Sequence, residues 1–552
     1  MIKGVKNMLG GIEMNDRPWL RFYPENVPET VDIPVMPLYK LLEDSATHYP
    51  EQVAVIDGGR TLTYRELKGK SDRLASALSK KGFQCKDRLA IMLPNSIEYI
   101  ITYYATLRLG GILVQVNPLY QSHELEHLFT DSRPKWFVGN NIQREKVRNL
   151  PLLDALTIIY VESKEFNVTT NEIGFYSLLS KSPDMKVPEV EILPREDVAV
   201  IQYTGGTTGK SKGVMLTHYN LIANIHQSFA FSDGFFEKPG ERILSITPFF
   251  HVYGMTGALN LTIYAGGTVI CMKRFQVEDV LNTIKTYKPT FFPGVPTMYI
   301  ALLTHPDSSP ELLSSLKVCN SGSAPMPVGV MNEFEKRTES SIVEGYGLSE
   351  ASPITHRNPV TGLKKPGSIG MPIPNTESKV VDKETGTKEM PYGEIGELII
   401  KGPQVMKGYW NNEEETKQTL RDGWLYTGDL ATMDEDGYFY IAGRKKDMII
   451  ASGYNIFPSE IEEVLYKHPE VEEACVFGVP DTYRGETVKA AVVRKEDSLV
   501  TSEELAEWCK SQLASFKVPK DITIRKSLPK TIVGKVLRYK LTEEEEEVKS
   551  RK

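Results

Sequence analysis

The 552-residue chain is poor in cysteine: Cys85, Cys271, Cys319, Cys475 and Cys509 are scattered, with no CxxC pair. This excludes a cysteine-based metal site and a disulfide framework, and favours a reducing compartment. No strong charge excess is present either. The net charge of -7 argues against non-specific binding of nucleic acid and leaves small-molecule partners. Long hydrophobic runs are missing. The most apolar stretch, Ile100 to Val116, is broken by Arg108 and Gly110-Gly111, so it reads as a buried helix turning into a strand, not a membrane span. Met8 to Ile12 is too short and glycine-rich for the apolar core of a signal peptide. The expectation is a cytoplasmic protein, with peripheral membrane contact left open. No internal repeat is found. The longest like-charge run, Glu543 to Glu547, reads as a solvated, fraying helix end.

What is present describes a large enzyme. The length exceeds what one hydrophobic core usually serves, so two or more domains are expected. Hydrophobic residues at 41% and charged residues at 25% are ordinary for globular proteins. Strand and helix patterns alternate along most of the chain, as in Arg88–Leu93 followed by Ile97–Leu109 and Gly267–Cys271 followed by Val277–Tyr287. That is α/β architecture. From about Gly393 short strands and turns take over. After the charged break Gly443-Arg444-Lys445-Lys446-Asp447, helices near 459–467 and 503–515 alternate with strands near 473–479 and 488–494. The expected division is a domain over residues 1–445, built of α/β subdomains with a small β-rich one, and an α+β domain over 446–552.

The stretch Tyr203-Thr204-Gly205-Gly206-Thr207-Thr208-Gly209-Lys210-Ser211-Lys212-Gly213 carries the most chemistry. Glycines let backbone amides approach an anion, threonine hydroxyls add donors and lysine supplies a point charge. These are the needs of a polyphosphate. A Walker loop fails on count, since its first glycine would fall at Thr204. It fails on its flanks too: Val198–Gln202 and Val214–Leu216 both read as strands, with a helix only from about Thr217. The loop therefore joins two strands; a flexible surface turn is the alternative.

Further segments add to this. Around Glu344-Gly345-Tyr346-Gly347-Leu348-Ser349-Glu350, glycines leave the Tyr346 ring open for stacking on a planar heterocycle. Ser349 offers a hydroxyl, and Glu350 a hard oxygen that, with phosphates, could hold Mg²⁺. The bland reading is a strand–turn–helix link with a buried tyrosine. Asp429, after turn residue Gly428, suits two ribose hydroxyls or is an ordinary turn aspartate. Gly534-Lys535 lies in a basic loop whose lysine can reach a phosphate or carboxylate in another domain. His123-Glu124-Leu125-Glu126-His127 matches the HExxH zinc pattern. Ser122 could cap that helix, and Leu125, Leu128 and Phe129 supply its apolar side, so the histidines are read as polar-face residues.

Tyr203–Gly213, Gly345–Glu350, Tyr426-Thr427-Gly428-Asp429, Gly443-Arg444 and Gly534-Lys535 occur in an order and spacing that resembles the adenylate-forming superfamily. That group holds acyl-CoA synthetases, firefly-type luciferases and the adenylation domains of peptide synthetases. The resemblance runs from about residue 35 to 540. Pro248–Met255 and Phe292–Thr297 are similar to segments of the fatty-acyl-CoA synthetase branch. Ser211 stands where a proline is frequent, and Ser349 where a threonine is; the latter keeps the hydroxyl.

The resemblance implies a two-step ligase using ATP, Mg²⁺ and coenzyme A on a fatty acid of medium to long chain. It implies Lys535 as the lysine that bridges carboxylate and α-phosphate. Thr204–Gly209 and Lys212 would grip the β- and γ-phosphates, with Glu350 on Mg²⁺. Glu344, Gly345, Tyr346, Gly347 and Ser349, with Gly322, Ser323 and Ala324, would hold adenine and its surroundings. Asp429 and Arg444 would hold ribose. Phe249, Phe250, His251, Tyr253 and Gly254 would form the acyl pocket. Lys446 would be the hinge of a mobile C-terminal domain, and Ser452, Gly453 and Tyr454 would face the coenzyme A channel. Acids of aryl or short branched type, and a carrier-protein acceptor, remain the rival readings.

Overall fold

The computed structural model describes residues 17–148, 150, 156–161, 172–180, 186–204, 211–236, 238–322, 326–451, 454–481, 484–531 and 536–550. Among them, two large sheets form the body of the molecule. The first runs Gly408–Tyr409, Lys212–Thr217, Val198–Thr204, Ile112–Gln115, Arg88–Met92, Trp136–Gly139, Thr157–Tyr160, Glu172–Gly174. The second runs Met371–Pro372, Ile354–Arg357, Ser341–Gly347, Val318–Ser321, Phe291–Gly294, Arg242–Ser245, Thr268–Cys271, Val53–Asp57, Arg60–Thr63.

Their central strands pair in parallel. The apolar runs Ile112–Gln115, Trp136–Gly139 and Thr268–Cys271 are buried at every position, as a sheet covered on both faces demands. Helix Ile97–Arg108 packs between the two sheets, buried from Ile97 to Leu107. The stretch Ile100–Val116 is thus the predicted helix turning into a strand. Asn95 ties the sheets together: its amide donates to the Ser245 and Thr247 carbonyls at 2.9 and 3.0 Å, and its carbonyl accepts the Phe249 N–H at 2.8 Å.

The expected hairpin is present. Val198–Thr204 and Lys212–Thr217 are antiparallel, with Tyr203 opposite Gly213 and Thr204 opposite Lys212. Helix His218–Ala230 follows at once, because Thr217 makes a reciprocal capping box with Asn220. Parallel strands Phe291–Gly294, Val318–Ser321 and Ser341–Gly347 align Gly294, Ser321 and Glu344 in one row. Their carboxyl ends, with Thr204 and Lys212 of the hairpin strands, border one cleft, the place where ligands of such sheets bind.

A third sheet holds Glu377–Val381, Gly396–Lys401, Trp424–Met433 and Leu420–Arg421, with Phe439–Arg444 beside Trp424–Met433. A fourth holds Tyr454–Ile456, Ile449–Ala451, Gly485–Arg494 and Val471–Asp481, with Asp521–Arg525 beside Gly485–Arg494. The chain passes from the third to the fourth between Arg444 and Ile449. Helices Pro458–Tyr466 and Ser502–Gln512 cover the fourth sheet and share a separate apolar core with it.

Two local readings need correction. Helix Ser122–Ser132 is capped by Gln121 with Glu124, not by Ser122. Part of the glutamate run is paired: on helix Arg538–Ser550, Glu544 pairs with Arg525 at 2.6 Å and Glu545 with Lys489 at 2.6 Å, while Glu543 and Glu544 stay exposed. Basic side chains of the adjacent strands supply the partners that the run lacks in sequence. Among the described residues no helix is long and apolar enough to cross a membrane.

Candidate active site

A cleft of about 1620 Å³ lies where the hairpin, the row of parallel strand ends, the third sheet and the C-terminal region meet. The phosphate stretch contributes Thr204, Ser211 and Lys212 to its wall. Gly205, Gly206, Thr207, Thr208 and Gly209 lie outside the described residues. The Lys212 ammonium pairs with Glu415 and sits 5.3 Å from the centre of the Tyr409 ring. Tyr409 in turn donates its hydroxyl to Glu350 Oε1 at 2.8 Å. Burial, with the Glu350 carboxylate beside it, raises the Tyr409 phenol far above its usual pKa, so it stays a neutral donor.

Gly322, Gly345, Tyr346, Gly347, Ser349 and Glu350 line the next part of the cleft; Ser323 and Ala324 lie outside the described residues. A Cβ on Gly347 would fall 2.3 Å from the Pro353 carbonyl oxygen, so the close return of strand Ile354–Arg357 requires glycine there. Tyr346 donates its hydroxyl to Asp429 Oδ2, and Arg444 Nε donates to Asp429 Oδ1 at 2.7 Å. Burial and the Asp429 charge hold the Tyr346 phenol protonated. Arg444 lines the cleft while Asp429 sits behind it, its carboxylate setting the positions of ring and guanidinium together.

Glu344 does not face the cleft. It is buried, with Oε2 accepting the Gly367 amide at 2.9 Å and Oε1 the Met326 amide at 3.4 Å. Burial raises its pKa against those two bonds. It braces the turn at Gly367 behind strand Ser341–Gly347. Phe250, His251 and Tyr253 line the cleft, and Tyr253 is fixed by Asn320, whose side-chain amide donates to its hydroxyl at 2.8 Å. Phe249 is wholly buried against Tyr99, and a Cβ on Gly254 would lie 2.2 Å from the Pro248 oxygen. These two are packing residues of the core, not wall residues of the cleft.

From the C-terminal region, Lys446, Lys530, Thr531, Val536 and Arg538 reach the cleft. Lys530 and Val536 are joined by an antiparallel bridge. Lys535 lies outside the described residues. So do Ser452 and Gly453, while Tyr454 is exposed and stacked on Phe516 at 4.4 Å, away from the cleft wall. Arg538 locks the region internally, donating to Asp447 at 2.6 Å, Glu462 at 2.7 Å and the Val476 carbonyl at 2.7 Å.

Tyr409 and Glu415 were not foreseen. Tyr409 reads as strand packing and Glu415 as an acid in the first turn of helix Glu413–Thr419; only the fold carries them to Glu350 and Lys212. No group of three or more His, Cys, Asp or Glu able to hold a metal occurs among the described residues. Glu350, one of several carboxylates on the cleft wall, is a hard oxygen donor that fits a cation arriving with phosphate oxygens of its own.

The AMP-binding enzyme family model matches residues 42–410, and the AMP-binding enzyme C-terminal domain model matches 460–535. The chain is 46% identical to a long-chain-fatty-acid–CoA ligase of Bacillus subtilis (strain 168), over 97% of this chain and 99% of the relative. It is 37% identical to a long-chain-fatty-acid–CoA ligase of Escherichia coli O6:H1, over 95% and 98%. The crystal structure of ATP-bound MatB from Rhodopseudomonas palustris superposes with a TM-score of 0.85 at 32% identity, covering 93% of this chain and 100% of that one. The convergence of hairpin, glycine-flanked tyrosine and Arg444–Asp429 pair on one cleft, in a chain matched along both family models, makes this protein a member of the AMP-binding enzyme family.

Proposed function

We propose that the chain is an ATP-dependent fatty acid–CoA ligase acting on long chains, dividing at Lys445/Lys446 into a nucleotide-binding body and a C-terminal domain. The observation that carries this reading is the single cleft on which Thr204, Lys212, Tyr346, Glu350 and Arg444 converge with the C-terminal Thr531 and Val536. A carboxylate is a poor acylating agent because oxide is a poor leaving group; AMP is a good one. In the first step a carboxylate oxygen attacks the α-phosphorus of ATP and pyrophosphate leaves. In the second the coenzyme A thiolate attacks the acyl carbon and AMP leaves.

The first step gathers negative charge, so fixed positive charge and positioning supply the catalysis. Lys212 meets the β- and γ-phosphates, giving up Glu415 as its counter-ion. Glu350, oriented by Tyr409, takes the Mg²⁺ that ATP brings, which neutralises phosphate charge when bound. The Tyr346 ring holds adenine beside Gly322 and Gly345, and Arg444 with Asp429 holds ribose. Lys535 bridges the carboxylate and the α-phosphate. The aromatic group of Phe250, His251 and Tyr253 borders the acyl site. For the second step Lys535 withdraws as the C-terminal domain turns at Lys446, and Tyr454 comes to the coenzyme A path. Family kinship to long-chain ligases supports chain length and acceptor. A long-chain fatty acid partitions into membranes, which favours a cytoplasmic protein that touches membranes peripherally.

Competitive turnover tests this. Purified protein is given Mg-ATP, coenzyme A and equimolar acids from acetate to stearate plus benzoates, with thioesters and AMP read by mass spectrometry. Long-chain thioesters should dominate. Benzoyl or short-chain thioesters as the main product, or AMP without thioester, would contradict the reading.

A further inference from the structure

The HExxH segment packs against the hairpin that carries Lys212. Helix Ser122–Ser132 is seated on the first sheet by Leu125, Leu128 and Phe129, which are buried with Phe137 and Ile158. His127 and Asp131, one turn apart, lie on a common face, and both meet the phosphate hairpin. His127 Nε2 lies 3.0 Å from the Ser211 carbonyl oxygen. A carbonyl only accepts, so Nε2 carries the proton and donates. Asp131 Oδ2 accepts the Tyr203 hydroxyl at 2.5 Å, and the Asp131 carbonyl accepts Trp410 Nε1 at 3.2 Å. The Trp410 amide donates to Gly213 at 2.7 Å. The helix therefore holds both legs of the hairpin, Tyr203 on one and Ser211 on the other. Glu124 is committed to the helix cap, its carboxylate accepting the Gln121 amide at 2.8 Å, and His123 is exposed.

We propose that His127 is a positioning residue for the polyphosphate grip, fixing Ser211 and through it Lys212. Ser211 is joined directly to Lys212, and both line the cleft together with His127. Losing the bond lets that leg of the hairpin shift, and the lysine charge shifts with it. The effect is confined to the step that contains a triphosphate. An acyl-adenylate has no β- or γ-phosphate for Lys212 to hold. The inference rests on reading the hairpin as the polyphosphate site.

The test uses full-length wild type, H127L and H127Q, the last keeping an N–H donor at nearly the same reach. H127L should raise the KM for Mg-ATP about three- to tenfold, the worth of one neutral hydrogen bond, with a smaller fall in kcat. Thioester formation from a supplied long-chain acyl-adenylate should stay near wild type, and H127Q should recover most of the KM. If H127L does not fold, as judged by thermal melting, H127N, too short to reach Ser211, replaces it with the same expectation. A wild-type KM in H127L, equal loss in both half-reactions, or H127Q no better than H127L would overturn the proposal. Absence of Mg-ATP turnover in the wild type would instead overturn the parent reading, and this inference with it.

Discussion

Lys535→Ala should lower acyl-adenylate formation about a hundred- to a thousandfold, the loss typical of removing one preorganised transition-state donor, while largely sparing thioester formation from supplied acyl-adenylate. The asymmetry follows from charge. In the first step an anionic carboxylate approaches a polyanionic triphosphate, and an ammonium between them offsets the repulsion as the new P–O bond forms. In the second step a thiolate attacks an acyl carbon whose leaving group is already AMP, and the same ammonium would obstruct its approach. In sequence this lysine precedes Val536, which is bridged to Lys530, and Thr531 and Val536 line the cleft. Pyrophosphate–ATP exchange measures the first step alone, and coenzyme A transfer from synthetic acyl-adenylate measures the second. Equal loss in both would show that Lys535 does not have the assigned role.

Glu350→Gln should reduce kcat/KM for Mg-ATP about a hundredfold, or about 2.7 kcal/mol of transition-state stabilisation, with little change in melting temperature. The substitution keeps the side chain's volume and an oxygen to accept the Tyr409 hydroxyl now 2.8 Å from Glu350 Oε1. It removes the charge proposed to meet the cation. Backbone support is unchanged, because the Met406 amide donates to the Glu350 carbonyl at 2.8 Å. A Mg²⁺ titration should need higher concentrations in the variant. Cooperative unfolding at markedly lower temperature, with Mg²⁺ dependence unaltered, would make Glu350 a structural residue.

Thr204, Lys212, Tyr346, Glu350 and Arg444, all singled out from the sequence, line one cleft. In the sequence, the glycines and threonines at 204–209, the tyrosine between Gly345 and Gly347, and the aspartate after Gly428 suggest ligands through backbone freedom or side-chain type, which are local properties. The hairpin was legible because Val198–Thr204 and Lys212–Thr217 are apolar β patterns on both sides of the loop, which a Walker geometry does not allow. What stayed hidden depends on tertiary contact. Glu344 looks like a ligand beside Gly345, yet strand alternation turns it inward to the Gly367 amide. Phe249 shares its aromatic stretch with Phe250 and Tyr253, but only the packing against Tyr99 reveals that it faces the core. Tyr409 and Glu415 come from far down the chain to Glu350 and Lys212. The bond of His127 to Ser211 spans 84 positions of sequence and leaves no local signature.

The central claim is that a carboxylate attacks the α-phosphorus of ATP, and isotope tracing tests it most directly. A long-chain fatty acid labelled with oxygen-18 in both carboxylate positions is turned over with Mg-ATP and coenzyme A, and the nucleotide and phosphate products are weighed by mass spectrometry. One labelled oxygen should appear in AMP and none in pyrophosphate. Label in inorganic phosphate with release of ADP, or unlabelled AMP alongside thioester, would contradict the account.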